Sequence, residues 1–213
     1  MSFSLRDDEQ WNFKKSSLEK KLTHIEETSR LLFRSVTNAA DLIRSFKKIS
    51  IDQSVERKRE FDIREYVSEV VFTFHNKLKH IPVEVTIVPE EIVSITSYPG
   101  AYAQLLNNFI QNSIIHGFED FNGEAKIKIE VLVKDEHLYF TYSDNGNGMN
   151  KDIKKKAFEP FVTTKRNAGG TGLGLNIVYN IIVQKLKGTL KLESELGNGT
   201  KFIIKIPLAL EEI

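Results

Sequence analysis

The sequence predicts an α+β fold: a mixed, mostly antiparallel sheet covered on one face by helices and preceded by a long N-terminal helix. Three observations predict it. Apolar and polar residues alternate through Ile127, Ile129, Val131 and Val133, through Leu138, Phe140 and Tyr142, and through Phe202, Ile204 and Ile206, the period of strands with one buried face. Helical stripes are interleaved with these strands, but not in the strict strand–helix–strand rhythm of a parallel sheet. Ahead of both runs a seam in alternating steps of four and three, Leu18, Leu22, Ile25, Ser29, Leu32, Val36, Ala39, Ile43 and Phe46.

Residues 1–14 are polar with scattered Phe3, Leu5, Trp11 and Phe13, and Ser16-Ser17 reads as a helix cap. The seam gives a helix over about residues 16–50. One helix of that length cannot bury its own stripe, so it needs a partner helix: a homodimer through this segment is expected, with residues 1–52 as a helical dimerisation segment, the alternative being a helix folded back on the domain that follows. The seam is lost between Ile49 and Lys58, and a second domain spans residues 60–210. Phe61–Ile63 reads as a short strand. Ile63–Leu78 carries a helical stripe through Tyr66, Val67, Val70, Val71 and Phe74, and Pro82 breaks it. Val83, Val85 and Ile87 make a strand, and Glu91–Ser97 another. Tyr98-Pro99-Gly100 starts a helix over Tyr102–His116, with Leu105, Leu106, Phe109, Ile110, Ser113 and Ile114 on its buried stripe. Lys134-Asp135-Glu136 turns one hairpin and Gly197-Asn198-Gly199 another. Between them Asn176–Leu186 is an apolar helix.

Composition excludes several classes. The net charge is +1, so no whole-molecule field points to nucleic acid or to an anionic membrane. There is no Cys, hence no disulfide and no thiolate metal site. The polar start MSFSLRDDEQ is not a signal peptide, and no apolar run approaches the roughly 20 residues of a membrane span. A cytoplasmic location is expected.

Four stretches carry chemistry. Asn108 and Asn112, four apart, project from one edge of their helix, and amide oxygens suit Mg²⁺ that must also hold phosphates. Asp144-Asn145-Gly146-Asn147-Gly148 follows a strand. It lacks the acidic spacing and closing Glu of a calcium loop, but a carboxylate there can accept a hydrogen bond from adenine's exocyclic amine. Phe158-Glu159-Pro160-Phe161 would pin a loop, and Lys165 beyond it could reach a phosphate. Residues from Met149 to Gly169 are largely polar and about the size of a lid. Finally Gly169-Gly170-Thr171-Gly172-Leu173-Gly174-Leu175 enters a helix, where free amides can meet an anion. It is neither a Walker A loop nor a dinucleotide fingerprint.

In this order the four stretches resemble the N, G1, F and G2 boxes of the ATP-binding domain of sensor histidine kinases. Gly197-Asn198-Gly199-Thr200 is similar to the further glycine box that closes the adenine pocket. The resemblance implies a two-layer α/β sandwich of the type shared with gyrase, chaperone and mismatch-repair ATPases, binding ATP and Mg²⁺. It implies Asn112 as the Mg²⁺ ligand, Asp144 as the adenine anchor, and Asn108, Lys165 and the glycine-box amides around the phosphates. Nucleotide contacts would also come from His116, Gly146, Gly148, Met149, Thr164, Gly170, Thr171, Gly172, Leu173, Gly174, Leu175 and Thr200. Asn108 and Lys165 would be catalytic. Related ATPases typically carry a Glu at the position of Asn108 to activate water, so Asn there favours a kinase over a hydrolase. The implied enzyme is a protein-histidine kinase whose phosphoryl group passes to a response regulator receiver domain. The family's acceptor-histidine motif is missing: His24 lacks its flanking pattern, so the acceptor is expected upstream of Met1 and the chain is expected to be a truncated core. The alternative is an ATP-gated interaction module without kinase activity. Ile115 stands where the family often has Lys.

Overall fold

The computed structural model describes residues 21–37, 40, 58–74, 78, 81–165 and 171–208. The chain divides into two compact units, Met1–Ser50 and Ile51–Ile213. In the first, residues 21–37 form helix α1. Its seam residues Leu22, Ile25, Leu32 and Val36 are 56–66% exposed. Leu18, Ala39, Ile43 and Phe46 of the expected seam lie outside the described residues.

The second unit runs β1 (Arg59–Asp62), α2 (Ile63–Thr73), β2 (Val83–Val88), β3 (Ser94–Ser97), α3 (Pro99–Asn112), β4 (Ala125–Lys134), β5 (His137–Asp144), α4 (Lys151–Lys156), α5 (Gly174–Asn180), β6 (Thr189–Ser194) and β7 (Thr200–Pro207). Five strands form one sheet in the order β2-β4-β5-β7-β6. β2 lies parallel to β4, and every other pairing is antiparallel. β1 and β3 form a separate antiparallel pair. This is the expected mixed, mostly antiparallel architecture.

Alternation along the strands decides which face is buried. Ala125, Ile127, Ile129 and Val131 of β4 point inward while Lys126 and Lys128 stay exposed. Leu105, Leu106, Phe109 and Ile110 of α3 are no more than 1% exposed and share one core with the inward residues of β4, β5 and β7. Phe109 is the keystone: its ring stacks on Phe202 at 4.4 Å and on Tyr142 at 5.1 Å.

The structure departs from the sequence expectations at four places. The strand expected from Phe61 to Ile63 is Arg59–Asp62, because the Asp62 carboxylate caps α2 by accepting from the Arg64 amide at 2.9 Å. The same carboxylate takes the Val93 amide at 3.1 Å, so the strand expected from Glu91 begins only at Ser94. α2 ends at Thr73 rather than running to Leu78; residues 75–77 lie outside the described residues. The polar stretch after Met149 contains helix α4, with Asn150 Oδ1 accepting from the Ile153 amide at 2.8 Å. Both α3 and α5 finish in a wider, π-type turn, Ser113–Gly117 and Ile181–Lys185.

Candidate functional site

The amides of α3, the carboxylate at the end of β5 and the start of α5 converge on one cleft of about 410 Å³. Asn108 and Asn112 line it from α3 and His116 from the turn after it, and Asp144, Gly148 and Met149 from β5 and the loop after that strand. Thr164, Thr171, Gly172, Gly174 and Leu175 close it on the α5 side, and Thr200 stands at its β7 edge. Three expected residues do not line the cleft. Gly146 is used inside the wall: its amide donates to Asp144 Oδ1 at 3.1 Å, and a Cβ built on it would lie 2.4 Å from the Gly117 carbonyl oxygen. Leu173 is 9% exposed and turned into the protein. The Lys165 ammonium is committed to an ion pair with Glu119. Gly170 lies outside the described residues.

The two helices of the cleft touch. A Cβ built on Gly174 would lie 2.9 Å from Asn108 Oδ1 and 3.8 Å from Asn112 Oδ1. Asn108 is oriented by its amide nitrogen, which donates to the Gln104 carbonyl at 2.8 Å. That leaves its oxygen on the α5 side. Asn112 has a buried Nδ2 without a hydrogen-bond partner. Among the described residues no group of three or more His, Cys, Asp or Glu could cage a metal ion. A hard cation here would need amide oxygen plus ligands brought by another molecule, which is how Mg²⁺ is usually held beside phosphates.

Asp144 is the electrostatic centre. Burial pushes its pKa up, while hydrogen bonds from the Ser113 hydroxyl and from the Gly146 and Thr200 amides pull it back. Burial holds the His116 imidazole below its ordinary value; Lys165 pushes the same way and Glu119 opposes. His116 Nδ1 lies 3.2 Å from Thr164 Oγ1. Together with the Lys165–Glu119 pair, this ties the segment after Phe161 to the end of α3.

Sequence reasoning missed several lining residues, among them Gln111, Asn150, Ile153, Leu196 and Phe202. Most are apolar or neutral and carry no spacing signal. Ser113 was legible: it is a polar residue on the buried stripe of α3, and a buried hydroxyl needs a partner.

The family model described as histidine kinase-, DNA gyrase B-, and HSP90-like ATPase matches residues 98–210. Sensor kinase CckA of Brucella abortus is 43% identical over 88 residues, 41% of this chain and 9% of that protein. Sensor histidine kinase RcsC of Salmonella typhimurium is 27% identical over 197 residues, 90% of this chain and 20% of that protein. The chain thus spans at most a fifth of the length of these relatives. Among solved structures, the nucleotide-free catalytic domain of histidine kinase ThkA superposes with a TM-score of 0.60 at 27% identity, covering 73% of this chain and 99% of that one. ThkA in complex with response regulator protein TrrA gives 0.61 at 26% identity, covering 81% and 49%.

Proposed function

This chain belongs to the family of histidine kinase-, DNA gyrase B- and HSP90-like ATPases, and on that premise we propose that it is the Mg-ATP-binding catalytic core of a sensor histidine kinase. It passes the γ-phosphoryl group of ATP to a histidine on a dimerisation hairpin, from which a response regulator receiver domain takes it. The observation that carries this reading is the single cleft between Asn108 and Asn112 of α3, Asp144 of β5 and the start of α5.

Each residue has a physical task. Asp144, an acceptor at the cleft wall, takes the hydrogen bond of adenine's amine, and Thr200 supports that edge. Asn112 would hold Mg²⁺ through its amide oxygen, and the ion would offset the charge of the phosphates. Asn108, Lys165 and the amides of residues 171–175 orient the phosphate chain; Lys165 reaches it by leaving Glu119. In the transfer the bond between the γ-phosphorus and its bridging oxygen breaks, a phosphorus–nitrogen bond to the imidazole forms, ADP departs and the imidazole gives up a proton. Asn108 has no basic lone pair of useful pKa, so water is not activated in competition with the histidine. Rate comes from positioning and charge.

The exposed seam of α1 supports a homodimer through that helix, and ThkA solved with TrrA supports a receiver-domain partner. No helix among the described residues is long and apolar enough to cross a membrane. The reading places the chain in the cytoplasm, where ATP and receiver domains meet. The test is transfer of ³²P from ATP to a supplied histidine-bearing hairpin fragment. Label on the fragment that disappears with Asp144→Asn supports the kinase; nucleotide binding with no label leaves an ATP-gated interaction module.

A further inference from the structure

Ser113 occupies a position where the stripe of α3 calls for an apolar side chain, and it is 2% exposed. Its Oγ lies 2.6 Å from Asp144 Oδ2 and 2.8 Å from Tyr142 Oη. A serine hydroxyl has one proton, and a carboxylate only accepts. Ser113 therefore donates to Asp144, and Tyr142, fully buried, donates to Ser113. The relay runs one way, from Tyr142 through Ser113 to Asp144. Asp144 Oδ1 meanwhile takes the Gly146 amide. With a donor fixed on each oxygen, the carboxylate plane is set and only lone pairs remain to face the cleft. Stacking of Tyr142 on Phe109 holds the far end of the relay.

We propose that Ser113 is the positioning residue for base selectivity: through the Tyr142–Ser113 relay it keeps Asp144 an acceptor-only carboxylate, so the cleft takes a purine with an amino group at C6 and refuses one with an oxo group there. The inference rests on the nucleotide reading above. An amino group donates to Asp144, whereas an oxo group would set acceptor against acceptor, and an unpaired buried polar contact is what makes such sites selective. A protonated Asp144 would lose this discrimination, because it could donate to the oxo group. Burial favours that protonated form, and the Ser113 hydrogen bond is the first of the contacts that oppose it. The other titratable groups on the surrounding elements are Tyr142 on β5, His116 beyond α3, Lys126 and Lys128 on β4 and Lys201 on β7. By strand alternation the lysines belong to the opposite face of the sheet, and none contributes to the Asp144 shift.

The experiment is calorimetric titration of ADP and of GDP into the full chain at about pH 6 and about pH 8, for wild type, Ser113→Thr, Tyr142→Phe and Ser113→Ala/Tyr142→Phe. The double variant removes both hydroxyls, so neither is left unpaired by loss of the other, and only Asp144 Oδ2 loses a donor, which is the change the titration reads. Ser113→Thr, which keeps the hydroxyl, should bind as wild type. The double variant should lose about tenfold in ADP affinity at the higher pH. It should lose more at the lower pH, and its preference for ADP over GDP should shrink. Tyr142→Phe should shift in the same direction by less. A double variant with the wild-type ADP:GDP ratio and pH profile overturns the proposal, even if its overall affinity falls. Wild type failing to bind ADP at all overturns the nucleotide reading instead, a separate result.

Discussion

Replacing Gly199 by Ala should cost far more than replacing Gly197 by Ala, although both lie in the β6–β7 turn with φ of 75° and 82°. The left-handed conformation costs an alanine about 1–2 kcal/mol at either position. At Gly197 that is the whole cost, because nothing lies within 4 Å of an added Cβ. At Gly199 the Cβ would fall 2.1 Å from the Asp144 carbonyl oxygen and 2.9 Å from Asn145 Cα. These are backbone atoms, which cannot swing aside as a side chain would. Either β5 or the turn must yield, adding about 1–3 kcal/mol on the scale of overpacked cores. The totals are about 1–2 kcal/mol for Gly197→Ala and about 2–5 kcal/mol for Gly199→Ala. In a chain of this size each kcal/mol moves the melting temperature by about 2–4 °C. Scanning calorimetry should therefore separate the two variants clearly. The displaced atoms belong to Asp144 and Asn145, and Asp144 is the proposed adenine anchor, so Gly199→Ala should also weaken ADP binding at a temperature where it is folded, while Gly197→Ala binds as wild type. Equal melting shifts for the two variants would mean that the Asp144 backbone does not crowd position 199.

Three further outcomes follow from the same geometry. Gly174→Ala crowds only side-chain atoms, the end of Asn108 closely and Asn112 Oδ1 at ordinary contact distance, so its melting temperature should stay within a few degrees of wild type while Mg-ADP affinity falls several-fold; unchanged affinity in calorimetry would contradict the contact. Burial raises the Asp144 pKa above its ordinary 3.8, so folding favours the protonated form. That stability is complete below the unfolded value and is lost as pH rises through the higher folded value. Without nucleotide, the melting temperature of wild type relative to Asp144→Ala should thus fall as pH rises from about 4 to about 8; a constant difference contradicts it. Glu119→Gln releases Lys165 from a half-exposed ion pair, so stability should change by less than about 1 kcal/mol. Amide exchange of residues 161–165 should nonetheless quicken, and exchange at the wild-type rate would mean that the pair does not hold this segment.

What the sequence showed and what it hid have physical reasons. Strands β4, β5 and β7 were legible because each buries one face, and burial imposes the two-residue period that Ile127 to Val131 display. α3 was legible because Leu105, Leu106, Phe109 and Ile110 must face that sheet. The convergence of Asn112, Asp144 and Thr171–Leu175 was legible only as a set of motifs in order, since no local rule brings residues so far apart in the chain into one cleft. The end of β1 and the start of β3 were hidden because one side chain, Asp62, caps α2 through the Arg64 amide and also takes the Val93 amide, 31 residues away. α4 was hidden because Lys151–Lys156 has a single apolar residue, Ile153, and so no stripe to read. The Lys165–Glu119 pair was hidden because surface charges advertise no partner.

The proposed function requires a purine nucleotide between the amide edge of α3 and the start of α5, with a divalent ion between them. A crystal structure of the full chain with Mg²⁺ and a non-hydrolysable ATP analogue tests it most directly. The expected result is the adenine amine on Asp144 and the ion on Asn112 Oδ1, with the phosphates beside Asn108 and residues 171–175. The analogue seated elsewhere, or this cleft empty beside saturating nucleotide, would contradict it.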